Sequence, residues 1–183
     1  VPSPYDFALG GKGLDPSLPG GVSGTLLQAG QCFMVDMGGN FYGYMGDMSR
    51  VFSIGRLPEQ AYTAHQTCIE IQEEIAAMAK PGTVCEDMYN KAIEIVTKAG
   101  FADYFMGVDQ KAKFIGHGIG LEINEMPVLA PRMKQELEPG MVFALEPKIV
   151  LPGIGPVGIE NSWAVTTDGL EKLTLCKEEI IEL

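Results

Sequence analysis

The sequence predicts an α+β fold, because two strand hairpins frame a central pair of helices. Each predicted hairpin carries two acids on apolar strands, Asp36 and Asp47 in the first and Glu146 and Glu160 in the second. Between the hairpins, apolar residues recur at intervals of three and four, which is the period of helices packed on one side. Acids are rarely buried without a partner, so the four acidic positions indicate a site.

The first hairpin is predicted over residues 33–50, whose two arms are rich in aromatic and aliphatic residues. Gly38-Gly39-Asn40 supplies the φ freedom that a tight reversal needs. Asp36 and Asp47 are 47 − 36 = 11 positions apart, so a reversal near residues 41–42 sets them roughly opposite each other, about 5 Å apart at Cβ. Uncompensated carboxylates this close raise one pKa, so a cation is expected between them. The alternative is a pair of solvated acids on an exposed hairpin.

The two central helices are predicted to be scaffold. The first begins at Pro58 and ends at Lys80-Pro81-Gly82, and the second begins at Thr83, whose spacing to Glu86 matches a capping box. His65 lies on the first helix beside polar neighbours, with nothing to indicate a second ligand nearby. We therefore predict a surface position for it.

A single histidine among glycines precedes the second hairpin. His117 lies in Phe114-Ile115-Gly116-His117-Gly118-Ile119-Gly120, where glycines allow another backbone to come close. The second hairpin is predicted from strands at 141–146 and 157–165, which frame a turn-rich segment at 151–156. A turn at Asp168-Gly169 then leads into a strand at 173–175.

Composition excludes some functions. A net charge of −11 without a Lys or Arg cluster argues against nucleic-acid binding. There is no apolar run long enough to cross a membrane and no basic-then-apolar leader. Four widely spaced cysteines are typical of reduced thiols in a cytoplasmic protein. We expect a soluble, cytoplasmic protein that does not bind membranes.

The candidate ligands are four carboxylates and one imidazole: Asp36, Asp47, His117, Glu146 and Glu160. Oxygen and imidazole donors without thiolate favour manganese, and cobalt, zinc or iron also fit. Four negative charges balance two dications, and a close pair of ions is a recurrent arrangement for activating water against an amide. The residues alone leave open whether these side chains converge.

The order of these residues resembles the catalytic domain of the pita-bread metallopeptidases, a family that includes prolidase, aminopeptidase P and methionine aminopeptidase. The matching motifs are the Asp pair, Gly-His-Gly-Ile-Gly-Leu-Glu around His117, Glu-Pro-Lys at Glu146 and Gly-Ile-Glu-Asn at Glu160, over roughly residues 30–175. The spacings 146 − 117 = 29 and 160 − 146 = 14 resemble the prolidase and aminopeptidase P branch.

The resemblance implies a curved antiparallel sheet with helices outside and metals inside, incomplete on its N-terminal side. We expect residues 1–183 to be one catalytic-domain fragment, with a loop-rich lead-in at 1–30 and a metal-binding core at 31–175. The full-length protein is expected to carry a further N-terminal domain. A homodimer is a family expectation.

The resemblance also implies roles. Asp36 chelates one ion, His117 and Glu146 bind the other, and Asp47 and Glu160 bridge both. A water activated between the ions attacks the peptide carbonyl, and Glu146 carries the proton to the leaving nitrogen. The expected reaction releases the N-terminal residue of a peptide in which proline comes next.

Several positions depart from the family pattern. Asn124 stands where the family has a second histidine, and it can donate a hydrogen bond to an oxyanion but cannot shuttle a proton. Gly158 replaces an arginine, Asn161 an aspartate and Ser49 a threonine, whereas Arg50 matches. We predict Asn124, Gly158 and Arg50 as the substrate-facing positions. The alternatives are a hydrolase of another C–N bond and a non-catalytic scaffold or binding protein.

Overall fold

The computed structural model describes residues 26–108 and 111–183, and the α+β class is confirmed there. Most of the predicted lead-in at 1–30 lies outside the described residues. The strands are β1 (Cys32–Phe41), β2 (Tyr44–Ser53), β3 (Gly116–Gly118), β4 (Glu125–Val128), β5 (Val142–Leu145), β6 (Lys148–Leu151), β7 (Gly155–Gly158), β8 (Asn161–Val165), β9 (Leu170–Lys172) and β10 (Ile181–Glu182). The helices are α1 (Glu59–Met78) and α2 (Cys85–Lys98), followed by a 3₁₀ turn at Ala102–Tyr104.

The first hairpin forms, and its chain reversal adjoins the predicted residues 41–42 but lies outside the glycine-rich segment. Gly38-Gly39-Asn40 belongs to β1, and the chain reverses at Tyr42-Gly43, where φ is 52° and 91°. A two-residue reversal with both φ values positive matches the right-handed twist of the flanking strands. The expectation that Gly38-Gly39-Asn40 supplies the freedom for the turn was wrong, because the pairing of the long arms includes these residues in β1.

The register decides how the two acids of this hairpin relate. Asp36 lies opposite Ser49, and Gly38 lies opposite Asp47. Asp36 and Asp47 are therefore diagonal neighbours on one face of the sheet, two positions off the directly opposed pairing that we expected. Diagonal neighbours remain within reach of each other's side chains.

Helix α1 begins directly after Pro58, as predicted. Helix α2 begins at Cys85, so the capping box at Thr83 was wrong. The Thr83 hydroxyl instead accepts a hydrogen bond from the Lys80 amide, and the Glu86 carboxylate accepts one from the Arg132 amide. Contacts from a segment 46 positions away therefore override the local capping pattern.

The second hairpin is divided between two sheets. Its outer parts, β5 and β8, pair with each other and belong to the sheet ordered β4-β3-β5-β8-β9, whereas β6 and β7 form a separate two-stranded sheet. The two ladders are separated at residues 146–147 on one arm and 159–160 on the other. Glu146 and Glu160 therefore lie where the chain passes from one sheet to the next.

The C-terminal segment closes the structure over the first hairpin. The strand predicted at 173–175 lies slightly earlier in the chain, at β9. Strand β10 pairs with β2 in parallel, whereas an antiparallel sheet was expected. The core lies between the helices and the strands, and its largest fully buried side chains include Phe143, Ile71 and Leu145. In the described part of the chain, neither helix has the length and apolar character needed to span a membrane.

Candidate metal centre

Three predicted ligands from different elements come together. Asp47 on β2, His117 on β3 and Glu160 at the second junction each offer one ligand atom, and these atoms lie within 4.8 Å of one another. Glu146 adjoins them, since its Oε1 is 3.4 Å from His117 Nε2. His117, Glu146 and Glu160 are buried, and the Asp47 side chain is only 10% exposed.

Asp36 lies at the edge of this group. Its side chain is 59% exposed, although its charge is close enough to raise the pKa of Asp47. The structure therefore groups four of the five predicted ligands in a buried cluster and places the fifth at the solvent boundary.

Glycines explain how His117 reaches the cluster. A Cβ added at Gly116 would lie 2.3 Å from the Ala144 carbonyl oxygen, and one added at Gly118 would lie 2.3 Å from that of Met126. Strand β3 can fit between β4 and β5 only because these positions lack side chains. The predicted close backbone approach around His117 agrees with this geometry.

Hydrogen bonds join the two halves of the site. The Ser49 hydroxyl donates to Glu160 Oε2 at 2.5 Å. The backbones of Ser49 and Glu160 also exchange two long hydrogen bonds of 3.4 Å. Nearby, the Ser162 hydroxyl donates to the Asp47 carbonyl at 2.8 Å. Ser49, noted in the sequence only as a departure from threonine, therefore orients a candidate ligand.

Lys148 is the site residue that sequence reasoning missed. Its side chain is 5% exposed, and its Nζ lies 2.6 Å from Glu146 Oε2. The same Nζ lies 3.8 Å from Glu160 Oε2 and 4.0 Å from Asp36 Oδ2. Its position two residues after Glu146 was a usable signal, because residues two apart on an extended chain point to the same side.

Burial and charge give the acids of the cluster different proton affinities. Burial, with the charge of Asp36, raises the pKa of Asp47 to about 7, and burial raises that of Glu160 to about 8. Burial also opposes ionisation of Glu146, but the charge of Lys148 and the hydrogen bond with His117 lower its pKa to about 2. The cluster has more negative groups than its own cations neutralise.

The Arg50 guanidinium is directed at oxygen atoms of the protein itself. It is 3% exposed and donates to the carbonyl oxygens of Ser49 and Glu160, to Asn161 Oδ1 and to two carbonyls of the C-terminal segment. These contacts differ from the predicted substrate contact. They assign Arg50 to holding the Glu160 backbone in place.

The other two predicted substrate positions are Gly158 and Asn124. Gly158 is buried in β7 with φ 150°, and a Cβ there would lie 2.4 Å from the Pro147 carbonyl oxygen. It therefore presents no side chain to a ligand. Asn124 lies in the bend before β4 and is half-buried.

The prediction for His65 was wrong. It is 5% exposed, and its Nε2 lies 2.6 Å from the Glu178 carbonyl oxygen. Burial lowers its pKa. The C-terminal segment covers it from 113 positions away, which the helix pattern alone could not show.

The residues of the cluster fit a divalent metal ion. The donor set consists of carboxylates and one imidazole without thiolate, which suits manganese, iron, cobalt or zinc. The three grouped ligand atoms are close enough for one ion to contact all of them after small side-chain movements. Their raised proton affinities indicate that the buried negative charge needs a cation.

Comparisons with known proteins agree with this geometry. The model of metallopeptidase family M24 matches residues 7–167. The Xaa-Pro dipeptidase of Pyrococcus furiosus is 31% identical over 166 residues, which are 90% of this chain and 46% of that protein. The chain thus spans about half the length of the curated relatives it matches.

Solved structures show the same fold. A dipeptidase from Pyrococcus horikoshii matches with a TM-score of 0.80 and 29% identity, over 95% of this chain and 47% of its own. The Xaa-Pro dipeptidase from Bacillus anthracis matches with a TM-score of 0.79 and 34% identity, over 93% and 47%. The predicted pita-bread fold is thereby confirmed, and the chain belongs to metallopeptidase family M24.

Proposed function

We propose that the chain forms the metal centre of a peptidase that releases the N-terminal residue from Xaa-Pro peptides or dipeptides. The observation that carries this proposal is the buried convergence of Asp47, His117 and Glu160, with Glu146 beside them. The names of the relatives, Xaa-Pro dipeptidases among them, support the substrate class.

Asp47, His117, Glu146 and Glu160 would hold a divalent ion, with manganese the first candidate. The sequence pattern assigns Asp36 to a second metal position. When bound, such ions supply Lewis acidity that polarises a carbonyl and makes water easier to deprotonate. The buried walls of the cluster exclude bulk water and strengthen electrostatic interactions inside it.

The side chains of this site have distinct proposed tasks. Glu146 is ionised and can accept a proton, although the Lys148 ammonium 2.6 Å away makes it a weak base. Ser49 fixes the orientation of the Glu160 carboxylate. Asn124 is the proposed hydrogen-bond donor to a substrate oxygen. Arg50 acts through the backbone of Glu160 as a positioning residue.

A second candidate is hydrolysis of a different C–N bond on the same fold. It is favoured by Gly158, which offers no side chain where relatives are expected to have arginine, and by Arg50, whose donors face inward. Both observations bear on substrate choice and leave the metal ligands unchanged. The scaffold alternative is less favoured, because burying this many acids without an ion opposes folding.

The test is hydrolysis of Xaa-Pro dipeptides by the full-length native protein with Mn²⁺, against matched Xaa-Ala dipeptides and an EDTA-treated sample. Release of the N-terminal amino acid from the proline substrates alone, abolished by EDTA, would support the proposal. Cleavage of neither dipeptide despite bound metal would favour the second candidate. Absence of metal binding would favour a scaffold.

Metal affinity is expected to rise with pH. Protons compete with an ion for Asp47 and Glu160, whose pKa values of about 7 and 8 mean that both carboxyls are mostly protonated at pH 6. Binding must release those protons, so the apparent affinity for Mn²⁺ should increase between pH 6 and 8. Titration calorimetry in two buffers of different ionisation enthalpy measures the protons released, and an affinity that does not change with pH would contradict the expectation.

The four cysteines are free thiols, which supports the predicted cytoplasmic location. The location remains a prediction, as does a homodimer. A peptide or small amide is the proposed partner, and the acidic charge argues against a nucleic acid.

A further inference from the structure

A buried ammonium group lies on the Asp36 side of the cluster. Lys148 Nζ is within 4.0 Å of oxygens of Glu146, Glu160 and Asp36. Its side chain is 5% exposed, so bulk water contributes little to its solvation. The three carboxylates therefore serve as its main counter-charges.

These contacts divide the cluster into two regions. His117 Nε2 faces Asp47 and Glu146 at 3.7 and 3.4 Å. The Lys148 ammonium faces Asp36, Glu146 and Glu160, and within the described residues its ion pairs are with these three. A first ion held by Asp47, His117 and Glu160 does not need Asp36 as a ligand. A second ion would need it.

The opposite strand leaves room for this lysine. Lys148 pairs directly with Gly158 in the β6–β7 ladder. A Cβ added at Gly158 would lie 3.2 Å from Lys148 Cγ and 2.8 Å from its Cα. Because Gly158 has no side chain, the stem of Lys148 can lie across the ladder and extend to the acids.

A second dication cannot share this position with the ammonium. Like charges a few ångströms apart in a buried site repel strongly. A second ion would also have to break the ion pair between Lys148 and Glu146. The displaced ammonium would then lose its buried counter-charges.

We propose that the Lys148 ammonium takes the place of the second ion, so that the metal centre of this protein holds one dication at Asp47, His117 and Glu160. This inference rests on the proposed function, because it requires a metal at the remaining ligands. Under this proposal, Lys148 determines how many metal ions the protein binds. Asp36 then forms an ion pair with Lys148 and is not a metal ligand.

The test is Mn²⁺ stoichiometry by equilibrium dialysis on the full-length native protein and on Lys148→Met, with Lys148→Arg as the matched variant that keeps the charge. We expect about one ion per chain in the native protein and in Lys148→Arg, and about two in Lys148→Met. Electron paramagnetic resonance gives an independent readout. Two neighbouring Mn²⁺ ions are expected to show an exchange-coupled spectrum, whereas one ion gives an uncoupled one.

The outcomes separate the two proposals. Two ions in the native protein would overturn the role of Lys148 while supporting a metal-dependent function. One ion in all variants would also overturn it. No ion in the native protein would overturn the proposed function and the inference together. If Lys148→Met does not fold, Asp36→Asn decides: unchanged tight binding of one ion supports the inference, and loss of an ion contradicts it.

Discussion

Replacing His117 with alanine is expected to lower the affinity for Mn²⁺ by at least about 100-fold and to reduce peptide hydrolysis to background. His117 supplies the only imidazole of the cluster, and its Nε2 lies within 3.7 Å of Asp47 and 3.4 Å of Glu146. Without it, the remaining donors are carboxylates, two of which hold protons near neutral pH. Equilibrium dialysis and a dipeptide assay measure both effects.

The chain provides a matched control for this variant. The sequence contains two histidines, and His65 is the other one, buried against the C-terminal segment. His65→Gln should reduce stability but leave the metal stoichiometry unchanged. Equal metal affinity in the native protein and in His117→Ala would show that the imidazole is not a ligand, and the proposed centre would then be wrong.

Replacing Arg50 with methionine is expected to lower the free energy of unfolding by about 3–5 kcal/mol, the range for removing one partner of a buried charged network. The guanidinium donates to the carbonyl oxygens of Ser49 and Glu160 and to two carbonyls of the C-terminal segment. Methionine fills similar volume but supplies no donor, so the two C-terminal carbonyls lose these hydrogen bonds and those of Ser49 and Glu160 keep only long ones of 3.4 Å. Urea denaturation measures the loss.

Arg56→Met is the control, because the Arg56 side chain is 79% exposed and its ion pair in the described part of the chain is with Glu59 on the surface. Its effect should stay below about 1 kcal/mol. The two roles considered for Arg50 predict different results. If Arg50→Met kept full stability and raised only KM, the guanidinium would contact substrate, as the sequence pattern predicted.

The grouping of four of the five candidate ligands was predictable from the sequence, because these residues occur in a characteristic order with characteristic spacings. The period-two alternation of the strands and the glycines around His117 are local signals. They indicate where the side chains of the candidate ligands lie without information from distant parts of the chain. The structure brings Asp47, His117, Glu146 and Glu160 together. Both the hairpin and α1 were also predictable, since their signals are local.

Features set by strand pairing or by distant contacts were not predictable. The glycine-rich segment of the first hairpin indicates a turn locally, yet strand pairing includes it in β1. Thr83 does not cap α2, because the segment at 132–134 engages Glu86. The C-terminal segment buries His65. For α2 and His65, packing from far along the chain overrides a local preference.

Lys148 shows the same limit within the site. Its charge suggests a surface position, and only the fold reveals that its stem crosses a glycine and ends among three acids. A single sequence contains the spacing from Glu146 but not the depth at which the side chain lies.

The position of Glu160 at the junction between the sheets also affects how long the protein survives proteolysis. Asp47 and Glu160 are 160 − 47 = 113 positions apart, so an ion held by both would bind only where the fold brings these distant segments together. Binding to the folded state alone would add about 2.7 kcal/mol at a free ion concentration 100 times Kd. When the ion is scarce, this stabilisation is lost and more molecules are unfolded at any moment. Because the rate of proteolysis follows the population of opened molecules, the protein would then be degraded faster as well as lose its activity.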